Sequence, residues 1–304
     1  ILMVLAAYGL QYAAGGFAQG VIHGLKLLAV AVVAQAVWSM GRSLCPDRIR
    51  AGFALLIAAL LIAFQSSILQ LAAIVAGAVF GLAVLRMEGQ ANVHPFGART
   101  GRLSAIAAIA AYFLLLAALP VAAASTGNGA IGLAQAFYRA GALVFGGGHV
   151  VLPLLQDTVV KPGWVSQSDF LAGYGAAQAL PGPLFTFAAF LGTKASIGPG
   201  GISGAIIGVL AIFLPGMLLL YGTLPFWDRL RTKGAARSAL AGVNAAVVGI
   251  LAAALYHPIW TSTILSPADA AFALIAFTAL AVVRLPVLLV VAFSAAAGAA
   301  LSLI

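Results

Sequence analysis

The stretch Phe145 to Leu155, FGGGHVVLPLL, sets three glycines, a histidine and a proline inside an apolar run of membrane-spanning character. Ala176 to Phe185, AAQALPGPLF, does the same with Gly182 held between Pro181 and Pro183. Hydrocarbon offers no partner for freed backbone N–H and C=O groups, so apolar spans avoid such breaks unless they line a cavity. Two breaks in close succession point to a polar site at mid-membrane. Neither proline has an N–H, and each stops a helix running through. Pro183 suits the first position of a new half-helix, with Gly182 beside it as cap. The N–H groups of Leu184, Phe185 and Thr186 would then point, unpaired, toward the break. Such an end carries about half a positive charge and is a ready anion site. Gln178 and Thr186 add neutral hydrogen-bonding groups on either side; the plainer reading is a kink that only shapes helix packing. In the first motif, Gly146, Gly147 and Gly148, next to Phe145, let backbone or ligand approach closely. His149 then starts a new helical stretch, either as a proton carrier or as a neutral ring bonded to a freed carbonyl.

Other polar groups frame these breaks. Lys26 sits near one end of its expected span, where it either snorkels to the surface or supplies positive charge for an anion; Asn244 is its counterpart in an internal repeat described below. Arg139, just before the first motif, has the same ambiguity. Asp157, Lys161 and Asp169 flank a KPGW turn and read as a solvated loop. The acids Asp47, Glu88, Asp157, Asp169, Asp228 and Asp269 all fall in or beside loops. A cation carrier usually keeps a carboxylate within its spans, so broken helices with an excess of base point to an anion. The triple glycine is not followed by a GxxxxGK[ST] loop, and no HExxH or GxSxG is present, which leaves nucleotide, metal-hydrolytic and serine acyl chemistry without visible machinery. Cys45 is the one cysteine, which excludes a disulfide framework, a multi-cysteine zinc site and a CxxC pair.

The elements that must position these residues are transmembrane helices. The chain is 63% hydrophobic and 7% charged, with mean hydropathy +1.14, far from the composition of soluble domains. Crossing a hydrocarbon core of ~30 Å takes about 20 helical residues, and long uncharged runs supply them. Nothing alternates with period two, which disfavours a transmembrane barrel. Spans are expected near 1–10, 22–40, 52–64, 68–85, 103–124, 133–156, 169–195, 200–225, 237–256, 267–283 and 285–304, with 52–64 and those around the two breaks open to a short, tilted or re-entrant course. Trp38, Trp164, Trp227 and Trp260 fall at expected span ends, as interfacial anchors do. The net charge of +9 resides in short loops, the pattern of cytoplasmic loops rather than of a nucleic-acid surface. The fold class is therefore all-α, a polytopic helical membrane protein with broken or re-entrant helices.

Two inverted-topology repeats are expected within it. His23 to Trp38 lies over Ala241 to Tyr256 without gaps, pairing Gly24 with Gly242 and Lys26 with Asn244. The loop after the first block carries Arg42, Arg48 and Arg50, while its counterpart near 257–266 carries no Lys or Arg. Before the blocks the pattern reverses: residues 10–22 carry none, and Arg229, Arg231, Lys233 and Arg237 precede the second. Equivalent loops thus fall on opposite sides of the membrane. Residues 1–86 read as the later part of a first repeat, 87–102 as a cytoplasmic linker, and 103–304 as a connecting span plus a complete second repeat. The chain opens without an initiator Met and within an expected span, as expected if its start is missing.

On these motifs the chain resembles the chromate transporter family in its long, two-domain form. The likeness is carried by Arg139 to Leu155, Pro162 to Gly192, Ala211 to Arg231 and Gly242 to Ser262, with His23 to Met40 and Ser43 to Arg48 in the first half. The resemblance implies a secondary carrier exporting chromate across the bacterial inner membrane and so conferring chromate resistance, with sulfate as a related anion. It also marks Phe145 to His149, Gln178 and Pro181 to Pro183 as positions of the transport path. The partners would be the chromate or sulfate oxyanion, a coupling ion or proton, the lipid bilayer and, in a homodimer, a second copy; neither a cofactor nor nucleic acid is expected. A small-anion channel and a membrane-embedded chromate reductase are the competing readings.

Overall fold

A computed structural model describes residues 1–12, 16–64, 67–85, 101–144, 151–179, 183–227 and 233–301. Among them every regular element is helical: α1 (Leu2–Tyr12), α2 (Gly16–Leu44), α3 (Arg48–Phe64), α4 (Ser67–Val84), α5 (Arg102–Thr126), α6 (Gly129–Ala142), α7 (Val151–Leu155), α8 (Gln167–Ala179), α9 (Phe187–Lys194), α10 (Gly201–Thr223), α11 (Gly234–Ala254), α12 (Pro267–Ala281) and α13 (Val287–Leu301). Gln156–Val160 continues α7 as a π-turn. Leu255–Trp260 continues α11 as far as His257, which leaves helical geometry with φ −125° and ψ 120°, the extended conformation that a following proline favours. Four apolar segments among the described residues are long enough to cross a bilayer: Gln19–Leu44, Arg102–Thr126, Gly201–Phe226 and Gly234–Thr263. The last is 72% buried within the protein and Arg102–Thr126 only 17%. α11 is therefore central, and α5 turns most of its apolar surface outward, where lipid rather than water must cover it.

Contacts between helix ends sort the loops onto two faces. The Ser196 N–H donates to the Trp164 carbonyl at 2.9 Å, Gln167 Nε2 to Ser262 Oγ at 3.4 Å, and Gly129 packs on Gly198. Residues 126–129, 161–167, 195–200 and 257–265 accordingly share one face, called here the far face. On the opposite one, Tyr221 OH meets Ser104 Oγ at 3.1 Å and Ser238 Oγ donates to the Leu85 carbonyl at 3.2 Å. That face carries Arg42, Arg48, Arg50, Arg102, Lys233, Arg237 and Arg284, and is called the basic face.

Two expected spans turn back instead of crossing. α6 enters from the far face and ends at Ala142, against the middle of α10: a side chain on Gly141 would strike the Ile212 carbonyl. α7 and its π-turn run back along α6, so that Arg139 lines one cavity with Leu154, Asp157 and Thr158. Likewise α8 descends from the far face and α9 returns to it, where Lys194 Nζ lies 3.6 Å from Asp169 Oδ1. Phe190 fills the space above Gly173, fitting α9 against α8. α6 with α7, and α8 with α9, thus pair as helical hairpins, each about half a membrane deep. Helices of 14, 13 and 8 residues at 1.5 Å per residue are too short to span.

The remaining helices interlock across the chain. α2 crosses α13 where Gly24 meets the Ser294 carbonyl and Gly298, and α11 crosses α4 where Gly242 meets the Gly77 carbonyl and Gly81. At each crossing a Cβ would occupy the partner's backbone, so glycine is what permits the approach, as in small-residue interfaces between membrane helices. α2 runs from the far face to the basic face, and α11 runs the opposite way.

Candidate functional site

Both hairpin ends meet α10 at one depth. Gly141 lies on Ile212, and Phe185 stacks edge-on against Phe213 with centroids 5.6 Å apart. Ile212 and Phe213 are the centre of the 23-residue α10. Gly141, just before the first break, and Phe185, just after the second, therefore lie at one depth near mid-membrane. The polar ends this creates are partly satisfied by neighbouring helices. Tyr112 OH donates to the Ala142 carbonyl at 2.7 Å, one of the terminal carbonyls that α6 cannot pair internally. Tyr138 OH donates in turn to the Tyr112 carbonyl at 3.0 Å.

Of the residues marked from sequence, Phe145, Gly146, Gly147, Gly148, His149, Pro181 and Gly182 lie outside the described residues. Gln178 is the penultimate residue of α8, and its Nε2 is buried with no hydrogen-bond partner among the described residues. A buried amide N–H without a partner costs on the order of 1–3 kcal/mol, so its presence beside a helix break suits a polar ligand. Pro183 is the N-cap of a 3-10 turn over Leu184–Thr186 rather than its first residue. Thr186 departs further from expectation. Its N–H and its hydroxyl both donate to the Pro183 carbonyl, each at 2.9 Å. The half-helix opens with i→i+3 bonding, which consumes one of the three N–H groups expected to be free.

Lys26 is not near a helix end. α2 starts at Gly16, so Lys26 lies ten residues inside it, half-buried. The preceding Leu25 carbonyl packs on Gly175 of α8, and the charge acting on Lys26 is Asp169. Lys26 thus flanks the second hairpin, one turn short of the level of Gln178. Asn244 sits midway along α11, part-buried, and among the described residues no hydrogen bond joins it to either hairpin.

One acid departs from expectation too. Asp157 is not a solvated loop residue: its side chain is 14% exposed and its Oδ1 lies 2.6 Å from Lys161 Nζ. Asp269 is buried, completes a capping box with Ser266 at the start of α12, and lies 2.6 Å from His23 Nε2 of α2. Asp269 is held by its capping position at the start of α12, and Asp157 by the i,i+4 pair with Lys161. Lys194, unmarked by sequence, has a side chain 9% exposed. A cavity of about 220 Å³ opens between the first hairpin and α4, α8 and α11, with Gln70, Gln156, Asp157, Lys161, Gln167 and His257 as its polar lining. A second, of about 60 Å³, lies between Arg139, Gln70 and Asp157. Spacing hinted at Arg139 alone, because the glutamines come from helices that only the fold brings together.

An all-helical protein with several membrane crossings, two re-entrant hairpins and a polar centre at mid-depth is built as membrane transport proteins are. The chromate transporter family profile matches residues 131–299, and the chain belongs to that family. It is 31% identical over 234 residues to a chromate transport protein of Pseudomonas aeruginosa, covering 76% of this chain and 53% of that one. A probable chromate transport protein of Synechococcus elongatus is 32% identical over 143 residues, 46% of this chain and 34% of its own. An uncharacterized transporter of Bacillus subtilis is 40% identical over 92 residues, 30% and 45% of the two chains. The chain spans about half the length of the Pseudomonas relative. No solved structure matches.

Proposed function

We propose that the protein is a secondary carrier for a tetrahedral oxyanion, chromate, with sulfate recognised as an analogue, working as an exporter across the bacterial inner membrane. The observation that carries this is the common depth of the two hairpin ends, Gly141 on Ile212 and Phe185 on Phe213, with the unpartnered amide of Gln178 beside them. Basic groups flank that centre on two elements, Lys26 on α2 and Arg139 on α6, while Lys194 stands at the far-face end of α9. The relatives' names supply the choice of chromate among oxyanions. The positive-inside rule puts the basic face in the cytoplasm, so both hairpins dip from the outer side. The opposite courses of α2 and α11, and their matching glycine crossings, support an inverted pair of repeats. Rocking of such a pair would alternate access to the centre.

The test uses inside-out vesicles from cells making the full-length protein, supplied with labelled chromate. Uptake above empty-vector vesicles, lost in Gly182→Leu with membrane insertion intact, is the expected result. Uptake equal to the empty vector would refute the carrier.

A further inference from the structure

The two cavities beside the first hairpin share a wall made by Gln70 and Asp157. Lys161 stands at the outer cavity and Arg139 at the inner one. Asp157 holds Lys161 at 2.6 Å. Arg139 is exposed to the inner cavity's side of α6 and makes no ion pair among the described residues. A guanidinium one turn from mid-membrane is costly unless it faces water or a counter-charge, and the nearest acid across this cavity is Asp157.

We propose that Lys161, Asp157 and Arg139 form a two-chamber anion path between the far face and the hairpin ends, with the Asp157 carboxylate standing in for the oxyanion until one displaces it. The inference rests on the transport reading and deepens it by naming an outer subsite. With both chambers empty, Asp157 compensates the two cations. A dianion attracts each cation about twice as strongly as a carboxylate at equal distance. It also repels Asp157, so the two anions exchange and do not coexist. Neutral donors complete the chambers. Gln156 Nε2 donates to Gln167 Oε1 at 2.8 Å, which fixes both amides, and Gln70 has no hydrogen-bond partner among the described residues. The other titratable group facing the outer chamber is His257, from the end of α11. A volume of about 220 Å³ has room for a small tetrahedral anion.

The experiment follows maleimide labelling of Val160→Cys, at the outer chamber's wall, in purified full-length protein carrying Cys45→Ser. Sulfate is the probe, because chromate oxidises thiols. Sulfate should slow labelling at least about threefold, and gluconate at equal ionic strength should not. Lys161→Gln should abolish the protection and Lys161→Arg should keep it. Asp157→Asn should lower the half-protecting sulfate concentration about tenfold, since the repelling charge is gone. Labelling indifferent to sulfate, equal slowing by gluconate, or weaker protection in Asp157→Asn would each overturn the path. Chromate flux through the same preparations separates the two readings. Flux without protection removes the path and leaves the carrier standing; protection without flux removes the carrier and leaves an outer anion subsite.

Discussion

Tyr112 shows how a single residue holds a helix end inside a membrane. Its hydroxyl takes up the Ala142 carbonyl, which hydrocarbon would otherwise leave bare. Tyr112→Phe removes the donor and keeps the ring, so it should cost roughly 1–3 kcal/mol. That loss is expected as a lower midpoint in thermal unfolding of the purified full-length protein, and an unchanged midpoint would mean the carbonyl has another partner. Cys45, between α2 and α3, offers a pH test. Burial pushes its thiol up, the Asp47 carboxylate adds to this, and Arg50 opposes it. The thiolate is the reactive form, so alkylation should be slow at neutral pH and keep climbing with pH beyond the range of an ordinary thiol. A plateau within that range would contradict the burial. Pro183 and Thr186 mark the limit of reading residues from spacing. The spacing identified the break, but a 3-10 start differs from an α-helical one by a single hydrogen bond, which no residue type dictates.

At the scale of elements, most helices were legible because apolar runs of membrane length admit little else. The hairpins were less so. A run from 169 to 195 is long enough to cross, and two half-helices have the same composition as one whole helix. What decides between them is the packing of small residues, Gly173 under Phe190 and Gly192 on the Gly204 carbonyl, which depends on partners far along the chain. The alignment of Gly24 with Gly242 did carry structural content, since both sit where a Cβ would strike another helix's backbone. Gly242→Leu and Gly24→Leu should therefore destabilise the protein by about 1–3 kcal/mol or more. Gly216→Leu, in open space, should leave thermal unfolding unchanged. Equal effects at all three positions would remove these crossings from the account.

At the scale of the molecule, charge and fold combine into one asymmetry. Seven described bases gather on one face, against Lys161 and Lys194 on the other, and both hairpins enter from that other face. Sequence could give the first half of this, because loop charge is read directly. It could not give the second, because the far-face cavity gathers Gln70, Gln156, Gln167 and His257 from four separated segments. The carrier reading needs this arrangement: a centre reached from outside between the hairpins must open toward the cytoplasm by movement of the surrounding helices.

Thiol accessibility in intact cells tests that arrangement most directly. In full-length protein carrying Cys45→Ser, Pro162→Cys and Ser196→Cys flank the second hairpin, and Ser43→Cys marks the basic face. A membrane-impermeant maleimide added outside should label Pro162→Cys and Ser196→Cys alike and leave Ser43→Cys unlabelled until the cells are opened. Labelling of only one of the first two would make 169–195 a crossing helix, and the paired hairpins would be wrong.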